Sequence, residues 1–398
     1  MLSTIITRRL SSSVTTTTKP LSKLNVIELE GLAIAPFVGK MLQDYGANVT
    51  RIDRKGGKPH YGTTSLGHGK NVMKLDLKDE EDREVFKDLI KNKCDVLIDP
   101  YRPNKMSLLN LGPNDLMKIN DKVIYTSLTG YGHRGPMSTA AGHDINYLSM
   151  SGALSMFSRN KDSTTNNSNN TMYIPLPPVN FLGDFAGAGL TGSFGIMMAL
   201  YERELTGKGQ IVNVSVLDGV NYMTTFFHNL KEKKLWNKTG SNVIDGGAYY
   251  YDVYETLNDN EFVSVGAIEP QFYNELIECL GLNINDLPDQ NDVKKWPEMK
   301  RMFTDIFKTK TRDEWVNICD GKDACLTPVL TLDEIKSYHN KMESEMFIQG
   351  LPKPPVELLK YDWSSVHESE IYKFVEKYTK WILVFFHAAC VLIIYDGV

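Results

Sequence analysis

The sequence predicts an α/β fold: a large domain built on a parallel sheet, followed by a smaller α+β domain. Three observations carry this expectation. Short apolar strands alternate with helical patterns from Leu24 to Leu128. The first strand–helix–strand unit closes within about 30 residues, the length of a crossover between parallel neighbours. From Asp245 the texture changes to the period-2 alternation of a hairpin.

Leu24–Leu29 (LNVIEL) is a short apolar strand. Pro36–Tyr45 is a helix with proline in its first turn and Gly46 just past its end. Asn48–Asp53 is the next strand, then Val72–Leu77, a helix over Glu81–Asn92, and strands at Asp95–Ile98 and Val123–Leu128. Such a series builds a doubly wound, Rossmann-like sheet. Asp184–Leu205 reads as a long helix whose apolarity on all sides implies burial. Gly209–Val216 adds a strand. The large domain therefore spans 24–216, and 217–244 is a helix and linker. A small domain covers 245–332, with a turn at Asn258-Asp259-Asn260 and helices at Gln271–Leu280, Pro297–Lys308 and Thr311–Ile318. Residues 333–398 are expected to return to the large domain.

Composition narrows the function classes. The 398 residues are 42% hydrophobic and 23% charged, ordinary for a globular chain, and a net charge of −5 argues against nucleic-acid binding. The cysteines (Cys94, Cys279, Cys319, Cys325 and Cys390) are odd in number and form no C-x-x-C pair, so neither a disulfide framework nor a thiolate zinc site is expected. The first strand-to-helix turn, ELEGLAIAP, lacks G-x-G-x-x-G, and no nicotinamide or flavin dinucleotide is expected. Residues 1–23 are rich in Ser and Thr, carry Arg8, Arg9, Lys19 and Lys23, and hold no acid. They read as a mitochondrial transit peptide or as a disordered tail. The peroxisome is the second destination considered, although the final DGV is not an SKL-type address. Arg159–Thr171, rich in Asn and Ser, is expected to be a surface insertion. Trp381–Tyr395 is the most apolar run, yet it is shorter than the roughly 20 residues of a spanning helix, and no membrane span is expected.

Three groups stand at helix starts: His143-Asp144, Asp184 and Glu269, the last just before Pro270. A carboxylate there faces unpaired N–H groups and the positive end of the dipole. Asp144 and Asp184 are thus either plain helix caps or acids of a site. His143 follows the glycine-rich Gly130-Tyr131-Gly132, Gly135-Pro136 and Gly142, in a loop after a parallel strand, where open α/β sheets place ligands. Arg51, Arg54, Lys70, Lys78 and Arg102 fall at or beyond strand ends, either as phosphate contacts or as a solvated basic rim.

The series VIELEGLAIAPFVGKMLQDYGANVTRIDR, LGHGKNVMKLDLK, DVLIDPYRPNKMSLLNLGP, LTGYGHRGP, AGHDINYL, NFLGDFAGAG, DGGAYYYDVYET and VGAIEPQFY resembles the alpha-methylacyl-CoA racemase family of the family III CoA-transferase superfamily, from about Leu24 to Leu332. The resemblance implies an interlocked homodimer, with the active site between the large domain of one subunit and the small domain of the other. It implies a racemase that takes acyl-CoA thioesters and needs no metal or other cofactor. His143 and Asp184 match the family's catalytic pair, and Glu269 matches the acid that supports the histidine. Arg54, the stretch Leu75, Asp76, Leu77 and Lys78, and the loop Gly142, His143, Asp144, Ile145, Asn146 and Tyr147 match CoA-binding segments. Gly67-His68-Gly69-Lys70 stands where the family has R-G-K, and Arg102-Pro103-Asn104 where it has R-P-G. The family's usual ending is not traceable after Leu332. Two rival readings follow: a CoA-transferase with Asp184 as nucleophile, and an acyl-CoA-binding protein without activity. The transferases carry an aromatic residue where this chain has His143, which favours the racemase.

Overall fold

The computed structural model describes residues 14–16, 19–58, 65–160, 173–342, 346–348 and 351–361. Most of the transit-peptide region, most of the Asn-rich insertion and the whole apolar run at Trp381–Tyr395 lie outside the described residues. The two chain ends form a unit of their own, in which Val14–Thr16 pairs antiparallel with Leu359–Tyr361.

Residues 23–353 form the second unit. Its central sheet has six strands: β1 (Asn25–Leu29), β2 (Asn48–Arg54), β3 (Asn71–Leu75), β4 (Val96–Asp99), β5 (Ile124–Thr129) and β6 (Ile211–Ser215). Every pairing is parallel and the order is β3-β2-β1-β4-β5-β6. The winding reverses between β1 and β4, which opens a crevice beyond their carboxyl ends. β1 and β4 are the two central strands, and in β4 Val96, Leu97 and Ile98 are wholly buried, as expected of a strand covered on both faces. On one face Ile27, Leu29, Leu97 and Tyr125 pack against Phe86, Ile90, Leu111 and Leu116. Phe86 and Ile90 lie on helix α2 (Glu80–Lys93), after α1 (Ile34–Asp44). The start of α2 is held by the Asp79 carboxylate, which accepts the Asp82 N–H, and Lys91 and Lys93 close its last turn, both favourable to the helix dipole. Helix α3 (Pro113–Ile119) was not foreseen in the sequence.

Helix α4 (Asp144–Met150) follows β5. The long apolar helix differs from expectation in two ways. It begins at Phe181, before Asp184, and Phe181–Leu190 is wound as a π-helix that runs into α5 (Thr191–Thr206). It is also buried on one side only. Small residues face the sheet: a Cβ on Gly195 would lie 2.8 Å from Val212, and one on Gly192 3.1 Å from Leu128. The large apolar residues Phe194, Met197, Met198, Tyr201 and Leu205 point outward and are exposed. Apolarity all round thus divides into one face packed on the sheet and one apolar face left exposed. Helices α6 (Val216–Met223) and α7 (Thr225–Glu232) lead away.

The smaller α+β part has its own core. Strands β7 (Tyr251–Glu255) and β8 (Phe262–Gly266) form the expected hairpin, with Asn260 in the left-handed conformation. A third strand, β9 (Leu326–Pro328), pairs with β8. Helices α8 (Pro270–Cys279), α9 (Trp296–Phe307) and α10 (Arg312–Ile318) cover the sheet. Tyr249, Tyr250, Tyr254, Tyr273, Phe303 and Trp315 fill the core, each contributing roughly 1.5–3 kcal/mol through burial. Several of their polar tips are paired: the Tyr249 and Tyr273 hydroxyls meet at 2.6 Å, and Trp315 Nε1 donates to the Phe307 carbonyl at 2.8 Å. Helix α11 (Glu334–Lys341) follows, and then Phe347–Ile348 pairs antiparallel with Leu351–Pro352. Among the described residues, no helix is long and apolar enough to cross a membrane.

Candidate active site

A cleft of about 310 Å³ opens at the reversal of strand order. Its walls are the segments that leave β1 (Glu30–Ala35), β4 (Pro100–Pro103) and β5 (Thr129–Tyr131), and His143, Tyr147 and Asp184 line it together. Glycines make this convergence feasible. A Cβ on Gly130 would lie 2.3 Å from the Tyr147 ring, and one on Gly142 2.8 Å from the Tyr131 hydroxyl.

His143 caps α4 with extended backbone. Its N–H donates to Asn146 Oδ1 at 3.0 Å and its carbonyl accepts the Asn146 N–H at 2.8 Å. The Tyr147 hydroxyl donates to the Gly142 carbonyl at 2.5 Å, so α4 fixes the residue before the histidine. The imidazole itself is free to face the cleft, and His143 is exposed.

Asp184 is 8% exposed and sits in the π-wound segment, the helix form often found at functional sites. The helix starts where Asn180 takes a left-handed conformation (φ 65°), and Asn180 Nδ2 then donates to Asp184 Oδ2 at 2.7 Å. Asn180 was not anticipated from the sequence; a polar residue four positions ahead of the acid is the only trace it leaves there. Burial pushes the Asp184 carboxyl up to about 6. The charge of Asp144 adds to the rise, while Asn180 and His143 oppose it. Asp144 is 3% exposed; its Oδ1 accepts the Asp184 N–H at 2.7 Å, and its carboxyl is also raised by burial. Helix starts were expected to favour these carboxylates. Desolvation outweighs the backbone hydrogen bonds at Asp144 and the Asn180 bond at Asp184, because each acid is withdrawn from water.

The other expected residues divide. Ile145 and Asn146 are exposed on α4. Arg54 is exposed at the end of β2, and its N–H donates to Glu30 Oε2 at 3.1 Å, a residue of the cleft wall. The Leu75 side chain belongs to the core. Asp76 donates its N–H to Asp82 Oδ2 at 2.7 Å, Leu77 packs on the core, and Lys78 is exposed; none of this stretch lines the cleft. Two of the five cations are withdrawn altogether. Arg51 makes two bonds to the Asp53 carboxylate, at 2.6 and 2.8 Å. Lys70 is buried and bonded to Glu28 at 2.7 Å and the Pro36 carbonyl at 2.8 Å. Arg102 lines the cleft and donates to the Thr139 carbonyl at 3.2 Å. Glu269 caps α8, is exposed, and does not line this cleft. The structure therefore brings His143, Asp144, Tyr147 and Asp184 together and leaves Glu269 apart.

The chain is 44% identical to alpha-methylacyl-CoA racemase from Homo sapiens over 82% of each chain. It is 42% identical to the Mus musculus protein of the same name, over 84% of this chain and 85% of that one. A CaiB/BaiF family protein from Brucella suis superposes with a TM-score of 0.68 at 22% identity, covering 87% of this chain and 95% of that one. The model of the CoA-transferase family III matches residues 21–363, so the family likeness runs well past Leu332, where motifs alone ceased to trace it. With that match spanning the sheet, the cleft and the smaller α+β part, the chain belongs to CoA-transferase family III.

Proposed function

We propose that this chain is a racemase that interconverts (R)- and (S)-2-methylacyl-CoA thioesters by a two-base 1,1-proton transfer. The observation that carries the reading is that His143 and Asp184 line one cleft, with the buried Asp184 carboxyl raised to about 6. A carboxyl in that range both takes and returns a proton near neutral pH, as a general acid–base requires. One base removes the α-proton from one face of the thioester, leaving an enolate. The conjugate acid of the other returns a proton to the opposite face, and the roles exchange in reverse. Backbone N–H groups at the start of α4 are the donors proposed to stabilise the enolate oxygen. The proton balance closes between the two bases, so the reaction as proposed needs no cofactor. A transferase would use Asp184 as nucleophile. His143 would have no role in a transferase, whereas two-base proton transfer uses both residues that line the cleft.

The working form proposed is an interlocked homodimer in which the second copy supplies Glu269 to His143. Two features support it: Glu269 is exposed away from the cleft of its own chain, and α5 leaves an apolar face uncovered. Residues 1–23 are proposed to direct the chain to mitochondria, which a fusion of that segment to a fluorescent protein tests.

The deciding experiment is α-deuterium exchange of a 2-methylacyl-CoA in D2O with wild type, His143→Ala and Asp184→Ala. Exchange with inversion, lost or made one-sided in the variants, supports the racemase. CoA transfer to a free acid that depends on Asp184 alone, without exchange, hands the case to the transferase. CoA binding with neither reaction leaves a binding protein.

A further inference from the structure

Asp99 ends β4 and is 5% exposed, yet the mechanism gives it nothing to do. Its Oδ2 accepts the Tyr125 hydroxyl at 2.6 Å and its Oδ1 accepts the Tyr101 N–H at 2.9 Å. Tyr101 and Arg102 form part of the cleft wall shared with His143 and Asp184.

The segment that Asp99 roots is packed at its start and open on both sides beyond Tyr101. Pro100 rests against Gly31, where a Cβ would lie 2.9 Å away. Beyond it, Arg102 and Pro103 border the active-site cleft and also a second cleft of about 300 Å³, lined by Asp99, Tyr125 and His133 among others. Pro100 and Tyr101 are packed, but Arg102 and Pro103 have space on either face, so there the anchoring bonds decide where the segment lies. Those anchors are the two bonds of Asp99, the Arg102 bond to Thr139, and Lys105 Nζ lying 4.4 Å from the Tyr101 ring centre. Thr139 belongs to the loop that leads to His143, so Arg102 joins that loop to the β4 end.

We propose that Asp99 is a positioning residue of the thioester cleft, which, held by Tyr125, fixes the Pro100–Pro103 segment and with it Arg102 along the cleft wall. Asp99 itself touches no reacting atom. The bonds to a buried carboxylate are of the stronger kind, because one partner carries charge. Burial raises the Asp99 carboxyl to about 6, with Tyr125, the Tyr101 N–H and Lys105 all favouring its ionised form, so it is largely ionised at pH 8.

The inference rests on the acyl-CoA reading, and its test separates the two. CoA affinity is measured by calorimetry at pH 8 for wild type, Asp99→Ala, Asp99→Asn, Tyr125→Phe and the Asp99→Ala/Tyr125→Phe double variant, with thermal melting alongside. Asp99→Ala and Tyr125→Phe should each weaken CoA by about tenfold, the worth of one such bond. The double variant should be no weaker than Asp99→Ala, since both act through one anchor. Asp99→Asn should recover much of the affinity, because its amide accepts from Tyr101 and donates to the Tyr125 oxygen. Unchanged affinity in folded Asp99→Ala or Tyr125→Phe overturns the positioning role, as does a double variant whose losses simply add. Wild type that binds no CoA overturns the acyl-CoA reading and this inference with it.

Discussion

The Asp184 N–H donates to the Asp144 carboxylate at 2.7 Å, which ties the first turn of α4 to the π-wound segment and makes the two acids a single unit. Each is buried, each is raised, and the charge of Asp144 is one cause of the rise at Asp184. The spacing of His143 from Asp184 therefore depends on a contact that the sequence, which offers each acid singly as a helix cap or a site residue, does not show.

That contact needs Gly183. A Cβ there would lie 2.3 Å from Asp144 Oδ1, inside any tolerable separation. Gly183→Ala should displace the Asp144 carboxylate, cost about 1–3 kcal/mol of stability and abolish most α-proton exchange. Denaturant unfolding and deuterium exchange check this together. A variant with wild-type exchange would sink the idea that the Asp144–Asp184 unit sets the site.

Asp144→Asn keeps an oxygen that accepts the Asp184 N–H but removes the charge. The carboxyl of Asp184 should then fall from about 6 toward the ordinary carboxylate range. The acid limb of the pH–rate profile for exchange should move to lower pH in the variant. An unmoved limb would mean that another group governs it.

The buried carboxylate of Asp184 also costs stability. Its folded value of about 6 lies above the reference value of 3.8, so between those values the folded chain holds a proton that the unfolded chain has lost. Wild-type stability should fall as pH rises through that window and stay level above it. Asp184→Asn carries no such cost, so its advantage over wild type should grow from near pH 4 to about pH 7, reaching the order of 1–3 kcal/mol. Urea unfolding of both proteins across pH 4–8 measures it. A difference independent of pH would contradict the assignment.

The strands of the large sheet, their parallel run and the hairpin follow from hydrophobic period and turn residues, and they were legible; the third small-domain strand, Leu326–Pro328, was not. Strand order was not, since it depends on which faces meet after folding. Asp184 was located but not its place in the helix, because the left-handed turn at Asn180 delays nothing in the apolar pattern and leaves no periodic signal. Lys70 reads as a cation beside a glycine loop; only the fold sets it against Glu28, 42 residues earlier. Asp99 and Tyr125 come from neighbouring strands and lie 26 residues apart, a pairing invisible to local patterns.

Lys70 supplies a prediction of its own. Desolvation raises Glu28 and lowers Lys70, while their attraction opposes both shifts. Lys70→Ala would strand the fully buried Glu28 without its ion-pair partner and should cost about 3–5 kcal/mol. Replacing both, as Glu28→Leu/Lys70→Met, should recover most of that loss. CoA affinity of the folded protein should stay unchanged in the double variant, because Lys70 does not line the cleft. A marked loss of CoA affinity there would return Lys70 to the role of a phosphate contact.

The proposed dimer makes the last prediction. Leu190, Phe194, Met197, Tyr201 and Leu205 recur at helical spacing on the uncovered face of α5 and the turn before it, and an apolar stripe of this extent is costly to leave in water. Phe194→Glu/Met197→Lys should shift the chain from dimer to monomer by light scattering and remove exchange activity. Neither side chain lines the cleft, so lost activity would report lost assembly. Complementation tests the shared site directly. His143→Ala and Glu269→Ala are each expected to be impaired alone; mixed dimers contain one site in which the intact His143 of one copy meets the intact Glu269 of the other. Co-expression should therefore restore exchange above that of either variant. If the mixture shows only the average of the two, each chain works with its own Glu269, and the interlocked arrangement is wrong.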